Sequence, residues 1–206
     1  MFFDPADGMR PPPFKFSPFK SLVVPRPIGW ISSVSAGGIV NLAPYSFFNA
    51  VAEDPPCVVY SVGGFHADGG PKDSLRNVEE TGEFVFNLAT FELREQMNQT
   101  SAQVARDVDE MAMAGLAAAP SIKVRPPRVR DAAANFECRY MQTVEIPSRK
   151  GQGRNAVVFG EVVGIHVRDD VIVEGMIDIK KMRPIARLGY NDYAVVDDFF
   201  TVLRPD

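Results

Sequence analysis

The most constraining feature of this sequence is a series of short segments rich in β-branched and aromatic residues, each bounded by turn-forming residues. These segments are 28–35, 39–46, 57–62, 83–88, 135–146 and 155–167. Glycine-containing turns at 36–38 and 150–153 separate two pairs of them, and connections this short join antiparallel strands. The pattern predicts a mainly β (α+β) protein built on a small antiparallel barrel.

A few helices are predicted between these strands. Residues 72–82 have the pattern of a helix that Asp73 or Ser74 caps at its start and that Gly82 ends. Residues 92–105 predict a second helix, with an amphipathic pattern. With so few helices, the strands must supply most of the core.

Proline-rich segments are predicted to be neither regular strands nor long helices. The opening segment is rich in Pro and Phe, so we assign 1–24 as an N-terminal arm and 25–206 as the folded domain. Prolines also interrupt 106–134, which we expect to be a long, partly helical excursion that covers a site. A helical turn is predicted at 178–182.

The composition supports a folded core and excludes several partners. Of the 206 residues, 46% are hydrophobic and 23% are charged, which excludes general disorder. The net charge of -4 has the wrong sign for binding nucleic acid through the release of counterions. No uncharged stretch approaches the ~20 residues of a bilayer-spanning helix, and the N-terminus lacks a signal-peptide pattern. We expect a soluble cytoplasmic protein that binds neither nucleic acid nor membrane.

The residues that carry most hydrolytic and metal chemistry are scarce. Cys57 and Cys138 lie outside any paired spacing, which favours buried thiols over a disulfide or a zinc site. His66 and His166 are the two histidines, and they form no ligand cluster with the cysteines, so no metal is expected. A Ser-His-Asp hydrolase is excluded because no serine lies in a G-x-S-x-G motif. Redox chemistry would therefore come from a cofactor.

Two segments are candidates for binding a ligand. The glycine-rich loop 63–71 leads into the predicted helix, where Lys72 and Ser74 add a cation and a hydroxyl suited to a phosphate. A capped helix after a surface loop explains the same residues, and the P-loop and Rossmann patterns are both absent. The segment 41–49 mixes polar and aromatic residues that suit a planar ligand, although a bulged edge strand is an equal interpretation.

Six strings in a fixed order resemble the flavin reductase-like family of FMN-binding split barrels. This family includes flavoredoxin-type proteins and the reductase components of two-component monooxygenases. The strings are PRPIGWISS (25–33), NLAPYSFFN (41–49), KDSLRN (72–77), EFVFNL (83–88), GEVVGIH (160–166) and RPIARLG (183–189). The resemblance extends over nearly the whole chain, and the ordered set is specific where each string alone is weak.

The resemblance implies an antiparallel Greek-key split β-barrel with a few flanking helices. Such proteins are usually homodimers, with the flavin bound near the interface; FMN is expected rather than FAD. The family motif K-D-[ST] binds the flavin phosphate and matches 72–74, with Ser in place of the commoner Thr. The implied cofactor-binding residues are Trp30, Ser32, Ser33, Ala43, Pro44, Tyr45, Ser46, Phe47, Asn49, Lys72, Asp73, Ser74, Arg187 and Tyr190, and His166 is the candidate catalytic residue.

Three functions are consistent with this resemblance. The first is an NAD(P)H-dependent flavin reductase that passes electrons to free flavin or to a small acceptor. The second is a flavoredoxin-like carrier, reduced by a protein partner and nearly inactive with NAD(P)H; a monooxygenase or another electron-transfer protein is the expected partner. The third is a split-barrel scaffold without cofactor, against which the retained Lys72 and Ser74 argue.

Overall fold

Strands make up most of the structure in the computed structural model, which describes residues 1–148 and 154–205. The strands are β1 (Arg26–Pro27), β2 (Gly29–Val34), β3 (Val40–Tyr45), β4 (Phe48–Glu53), β5 (Pro56–Gly64), β6 (Glu83–Leu88), β7 (Ala118–Ala119), β8 (Arg128–Val129), β9 (Ala134–Glu145), β10 (Arg154–Val167), β11 (Ile172–Val173), β12 (Met176–Ile177), β13 (Ile185–Arg187) and β14 (Tyr193–Val195). The helices are α1 (Phe19–Leu22), α2 (Asp73–Thr81), α3 (Arg94–Gln99), α4 (Glu110–Met113) and α5 (Ile179–Met182), with a 3₁₀ turn at Asp169–Val171. No helix in the described ranges is long and apolar enough to cross a membrane.

One antiparallel sheet of seven strands organises the fold. Its order is β3-β2-β6-β9-β10-β5-β4, and a smaller sheet has the order β1-β13-β14. Every pairing is antiparallel, as the short connections predict. The six predicted strands are confirmed as β2, β3, β5, β6, β9 and β10, whereas the predicted turn at 150–153 lies outside the described residues.

The core lies on both faces of this sheet. Ile31 on β2 belongs to a buried cluster with Val58, Tyr60 and Phe84, which packs against α2. The preceding residue, Trp30, belongs to a second buried cluster that packs against α3 and α4. Successive side chains on a strand point to opposite faces, so β2 is buried on both sides. The strand is thereby held rigidly beside β3 and α2.

The start of α2 differs from the prediction. Gly82 ends the helix as expected, with a φ of 75° and its N–H donated to the carbonyl oxygen of Val78. The predicted cap was wrong: Lys72 occupies the N-cap position, and its side chain caps no backbone N–H. The carboxylate of Asp73 and the hydroxyl of Ser74 bind other side chains instead, so the first turn of α2 is left uncapped.

Two other predictions need correction. The segment 41–49 is not one strand, because β3 ends at Tyr45 and a separate edge strand, β4, begins at Phe48. Most of β4 is exposed, so its sequence lacks the alternation that reveals a half-buried strand. The predicted helix 92–105 shortens to α3, since residues beyond Gln99 turn away and line a cavity.

Two smaller predictions are confirmed. The helical turn near 178–182 is α5, where the Asp178 side chain accepts a hydrogen bond from the backbone N–H of Lys181 at 3.1 Å. Both cysteines are buried free thiols, and burial raises the pKa of the Cys138 thiol. Both thiols belong to the buried core, as the unpaired spacing of the two cysteines in the sequence predicted.

Candidate functional site

A cavity of about 100 Å³ lies where β3, the start of α2 and the segment after α3 meet. Backbone and side chains of Ala43, Pro44 and Tyr45 form one wall, and residues 72–74 form a second. Residues 100–104 and Glu110 close the remaining sides. The cavity therefore joins three stretches that are far apart in the sequence.

The floor of this cavity is a chain of buried polar groups. The carboxylate of Glu110 accepts hydrogen bonds from Asn41 Nδ2 at 2.8 Å and from the N–H of Leu42 at 3.1 Å. Asn41 Oδ1 accepts a hydrogen bond from Ser74 Oγ at 2.9 Å, and Ser74 Oγ lies 2.7 Å from the phenol oxygen of Tyr45. This series of hydrogen bonds aligns β3 with the first turn of α2.

The titratable groups of the floor have shifted pKa values. Burial raises the pKa of Tyr45 to about 12, and the nearby carboxylates of Glu110 and Asp73 act in the same direction. Burial also raises the pKa of Glu110, against the hydrogen bonds that it accepts. The phenol of Tyr45 therefore keeps its proton at neutral pH.

The uncapped start of α2 is suited to an anion. The N–H groups of Asp73 and Ser74 have no acceptor among the described residues, and those of Leu75 and Arg76 both donate to the carbonyl oxygen of Lys72. Lys72 is partly buried, and its side chain forms no ion pair within the same described ranges. Two unpaired N–H groups, the helix dipole and a cation together favour a phosphate or carboxylate.

Arg106 keeps a carboxylate from cancelling this positive charge. Its guanidinium donates to both carboxylate oxygens of Asp68 at 2.6 and 2.8 Å, to the carbonyl oxygen of Pro71 at 2.9 Å, and to Asp73. The contact lowers the pKa of Asp68 and raises that of Arg106. His66 supports the same link through Nε2, 3.0 Å from the carbonyl oxygen of Val104. The loop before α2 and the segment after α3 are thus tied together beside the cavity.

Six of the residues that the sequence singled out meet at this cavity. They are Ala43, Pro44, Tyr45, Lys72, Asp73 and Ser74. Ser33 lies one hydrogen bond behind them, donating to Asn41 Oδ1 at 3.4 Å. Trp30 and Ser32 are fully buried nearby, where they donate to Thr100 Oγ1 at 2.9 Å and to the carbonyl oxygen of Pro127 at 2.6 Å.

The remaining candidates do not line this cavity. Ser46, Phe47 and Asn49 follow the end of β3; the Phe47 ring lies 5.9 Å from the guanidinium of Arg26, and Asn49 binds its neighbour's N–H. Arg187 donates to the Tyr193 hydroxyl and to the carbonyl oxygen of Tyr190.

Arg187 and His166 lie at two other cavities. Arg187 lines one of about 440 Å³, next to Phe91 and Tyr193. His166 lines a cavity of about 310 Å³ with Arg128 and Arg168, among others, and its Nε2 lies 2.5 Å from the buried carboxylate of Glu137. Neither residue reaches the cavity beside α2 in this chain.

Several lining residues were missed by the sequence analysis. Glu110 lies within 106–134, where no periodic pattern singles it out, and residues 100–104 were assigned to a helix. Asn41 belonged to the candidate segment 41–49 but carried no separate signal. Arg106 and Glu110 are ordinary charged residues in the sequence, and only their partners reveal their roles.

Comparison with known proteins places the chain in a family. Residues 21–186 match the model of the flavin reductase like domain, and the chain belongs to that family. An uncharacterized protein of Aquifex aeolicus is 40% identical over 173 residues, which cover 84% of this chain and 85% of the relative.

Solved structures agree with this assignment. Nitrilotriacetate monooxygenase component B from Bacillus cereus is 28% identical, with a TM-score of 0.88 over 98% of both chains. The 2-nitrobenzoate 2-nitroreductase NbaA of Pseudomonas fluorescens is 29% identical, with a TM-score of 0.78 over 91% of this chain and 88% of that one. The fold is the flavin reductase-like split barrel, and the family indicates an oxidoreductase of the flavin reductase or flavoredoxin type.

We expect Arg106→Gln to loosen the link beside the cavity. Backbone amides of 63–71 and 100–108 should exchange hydrogen severalfold faster, since the link between Asp68, Asp73 and the segment after α3 is lost. Hydrogen-exchange mass spectrometry measures this change. Arg125→Gln, which removes an exposed ion pair with Glu83, is the matched control.

The same link should weaken only in strong acid. Because Arg106 lowers the pKa of Asp68, the stability that this pair adds is present above the ordinary carboxyl value of 3.8 and is lost as the pH falls through the lowered one.

Equal protection of the backbone amides from hydrogen exchange in wild type and Arg106→Gln would contradict the role of Arg106 in linking the two segments.

Proposed function

We propose that the protein is an FMN-binding oxidoreductase that takes hydride from NADH or NADPH and passes electrons to free flavin or to a small acceptor. The observation that carries the proposal is the anion site at the start of α2, which adjoins the wall formed by 43–45. Family membership and the nitroreductase and monooxygenase-component neighbours support the same class of reaction.

The residues at the cavity fit FMN as a ligand. A phosphate monoester carries up to two negative charges and only acceptor atoms near neutral pH. This matches the Lys72 ammonium and the N–H groups of Asp73 and Ser74, which have no acceptor in the described part of the chain. Ala43 and Pro44 add apolar side chains to the lining of the same cavity. Lys72, Asp73 and Ser74 would therefore hold the phosphate, and 43–45 would contact the ribityl chain and the ring edge.

A bound flavin supplies the redox chemistry, because its N5 accepts hydride. The chain's own part is to bind the phosphate, to orient the ring and to exclude water. His166 would take part only at a site completed by another chain, since it does not line this cavity.

We further propose that a second copy of the chain completes the site. The cavity of about 100 Å³ is smaller than the roughly 300–1,000 Å³ that buries a whole drug-sized ligand. Phe2, Phe16 and Phe19 in the arm and Phe199 and Phe200 near the C-terminus are all at least half exposed. Such apolar segments suit the covering of a partner's site.

We expect sedimentation velocity of the flavin-loaded protein at micromolar concentration to give the mass of a dimer. The physical reason is that the exposed Phe residues gain burial only when a second chain covers them. A monomer that retains its flavin under these conditions would contradict this part of the proposal.

A flavoredoxin-like electron carrier is the second candidate. It is favoured by residues 100–104, which line the cavity next to the segment that Arg106 ties to the loop before α2. In this proposal they take up space that a nicotinamide beside the flavin would need. In that case a protein partner would reduce the flavin, and a monooxygenase or another electron-transfer protein would receive the electrons. A scaffold without cofactor is disfavoured, because Lys72 has no ion-pair partner among the residues that the structure describes.

Lys72→Ala should weaken the binding of FMN much more than that of riboflavin. Loss of one charge-assisted contact costs about 1.5–3 kcal/mol, so we expect FMN affinity to fall by about tenfold or more. Quenching of flavin fluorescence measures both ligands. Lys123→Ala, whose side chain is exposed away from the cavity, is the matched control. Equal losses for both ligands would place the phosphate elsewhere.

Anaerobic stopped-flow spectroscopy tests the reaction itself. We expect NADH or NADPH to bleach the oxidised flavin absorbance of the FMN-loaded protein rapidly, because a hydride donor stacked on the ring needs no further protein acid or base. The nucleotide that bleaches faster is the preferred donor. Slow bleaching by both, despite tight FMN binding, would reject the reductase and favour the carrier.

A further inference from the structure

Hydrogen bonds at the floor of the cavity run in one direction. Glu110 is 5% exposed, and its two carboxylate oxygens face Asn41 Nδ2 and the N–H of Leu42. Both oxygens are acceptors in this arrangement, one for the Asn41 amide and one for the Leu42 N–H. The amide of Asn41 must therefore turn its NH₂ group towards Glu110 and its oxygen towards α2.

This orientation of Asn41 decides the role of Ser74. The Asn41 oxygen can only accept, so the single hydroxyl proton of Ser74 is donated to it, at 2.9 Å. Ser74 Oγ then has only lone pairs to offer the Tyr45 hydroxyl, 2.7 Å away. Tyr45 is protonated and donates to Ser74. Each group in the series therefore donates to the next one: Tyr45 to Ser74, Ser74 to Asn41, and Asn41 to Glu110.

The direction has a consequence for the ligand. Both hydroxyl protons are used inside the protein, so Tyr45 Oη and Ser74 Oγ can offer only acceptor atoms to the cavity. A phosphate dianion also offers only acceptor atoms, and it cannot pair with either oxygen. The phosphate must then rely on the Lys72 ammonium and the N–H groups of Asp73 and Ser74.

We propose that Glu110 is a positioning residue that acts through Asn41 to fix this direction, so that Tyr45 Oη accepts a hydrogen bond from a ribityl hydroxyl and the Ser74 hydroxyl makes no contact with the phosphate. The inference rests on the proposed flavin ligand and adds how its polar chain is recognised. In FMN the ribityl chain is bonded to the phosphate, so its hydroxyls lie close to the phosphate. Tyr45 Oη is placed to meet them, because it lies 2.7 Å from Ser74 Oγ in the first turn of α2.

The first arm of the test separates the phosphate from the ribityl chain. Flavin-free, full-length protein is titrated with FMN, riboflavin and lumiflavin, which lacks the ribityl chain, using flavin fluorescence. Ser74→Ala should leave the ratio of FMN to riboflavin affinity unchanged, whereas Lys72→Ala lowers it. Tyr45→Phe should weaken FMN and riboflavin equally, by about threefold to tenfold, and leave lumiflavin unaffected.

Tyr140→Phe is the matched control for Tyr45→Phe. Its hydroxyl donates to Thr143, and Tyr140 does not line the cavity. It should leave the affinities for all three flavins unchanged. A loss of flavin affinity in Tyr140→Phe equal to that in Tyr45→Phe would overturn the assigned contact.

The second arm reverses the direction of the hydrogen bonds. In Glu110→Gln the Leu42 N–H keeps an acceptor, but the new NH₂ group faces Asn41, which must flip and donate to Ser74. The Ser74 hydroxyl then no longer donates to Asn41, and its proton can be donated to the phosphate. We expect the FMN to riboflavin affinity ratio to rise by about tenfold, the value of one charge-assisted hydrogen bond.

A compensating variant separates the direction from a general structural effect. Asn41→Asp combined with Glu110→Gln restores an acceptor facing Ser74 and keeps one negative charge in the pair, so the ratio should return close to the wild-type value. A merely structural role of Glu110 would lower the affinity for all flavins without changing the ratio. Thermal unfolding of each variant identifies those that are misfolded, and the Ser74 and Tyr45 variants test the proposal if Glu110→Gln does not fold.

Two results would overturn the inference while leaving the proposed function intact. One is a fall in the FMN to riboflavin ratio in Ser74→Ala that equals the fall in Lys72→Ala. The other is an unchanged ratio in a folded Glu110→Gln protein. Failure of the folded wild-type protein to bind FMN or riboflavin would instead contradict the proposed function itself.

Discussion

The hydrogen bonds that Asn41 and Leu42 donate to the buried carboxylate of Glu110 hold the candidate site together. They join β3 to α4, at the start of the long excursion from the sheet. Leaving such a carboxylate without its donors costs on the order of 3 kcal/mol, so the two elements are fixed together. Through Asn41 the same contact reaches Ser74, and the first turn of α2 takes its place beside β3.

Charge at the cavity follows from which acids are already paired. Asp73 lies in the first turn of α2 but is bound by Arg106, and Glu110 is surrounded by donors from β3. Lys72 has no ion-pair partner in the described part of the chain. Two carboxylates close to the cavity therefore leave it attractive to an anion, and this balance depends on Arg106 reaching across from a distant segment.

The strands were predictable because their information is local. Six strands each combine β-branched or aromatic residues with nearby turn-forming residues, a pattern typical of buried and half-buried strands; they are β2, β3, β5, β6, β9 and β10. The exposed edge strand β4 carries no such pattern and was missed. The capping prediction for α2 failed for a different reason: Asp73 and Ser74 have the right chemistry for a cap, but distant partners compete for their side chains.

The sequence by itself determined the antiparallel β architecture, the family and the segment in which Lys72 and Ser74 begin a helix, because alternation, turn residues and ordered motifs are properties of neighbouring residues. Only the tertiary structure decided which of these residues meet in one cavity and which way their hydrogen bonds run. Glu110 and Arg106 are 69 and 33 residues away from the partners that they orient, Asn41 and Asp73. Burial and the one-proton limit of a hydroxyl act only once those groups are in contact, so no local pattern can encode them.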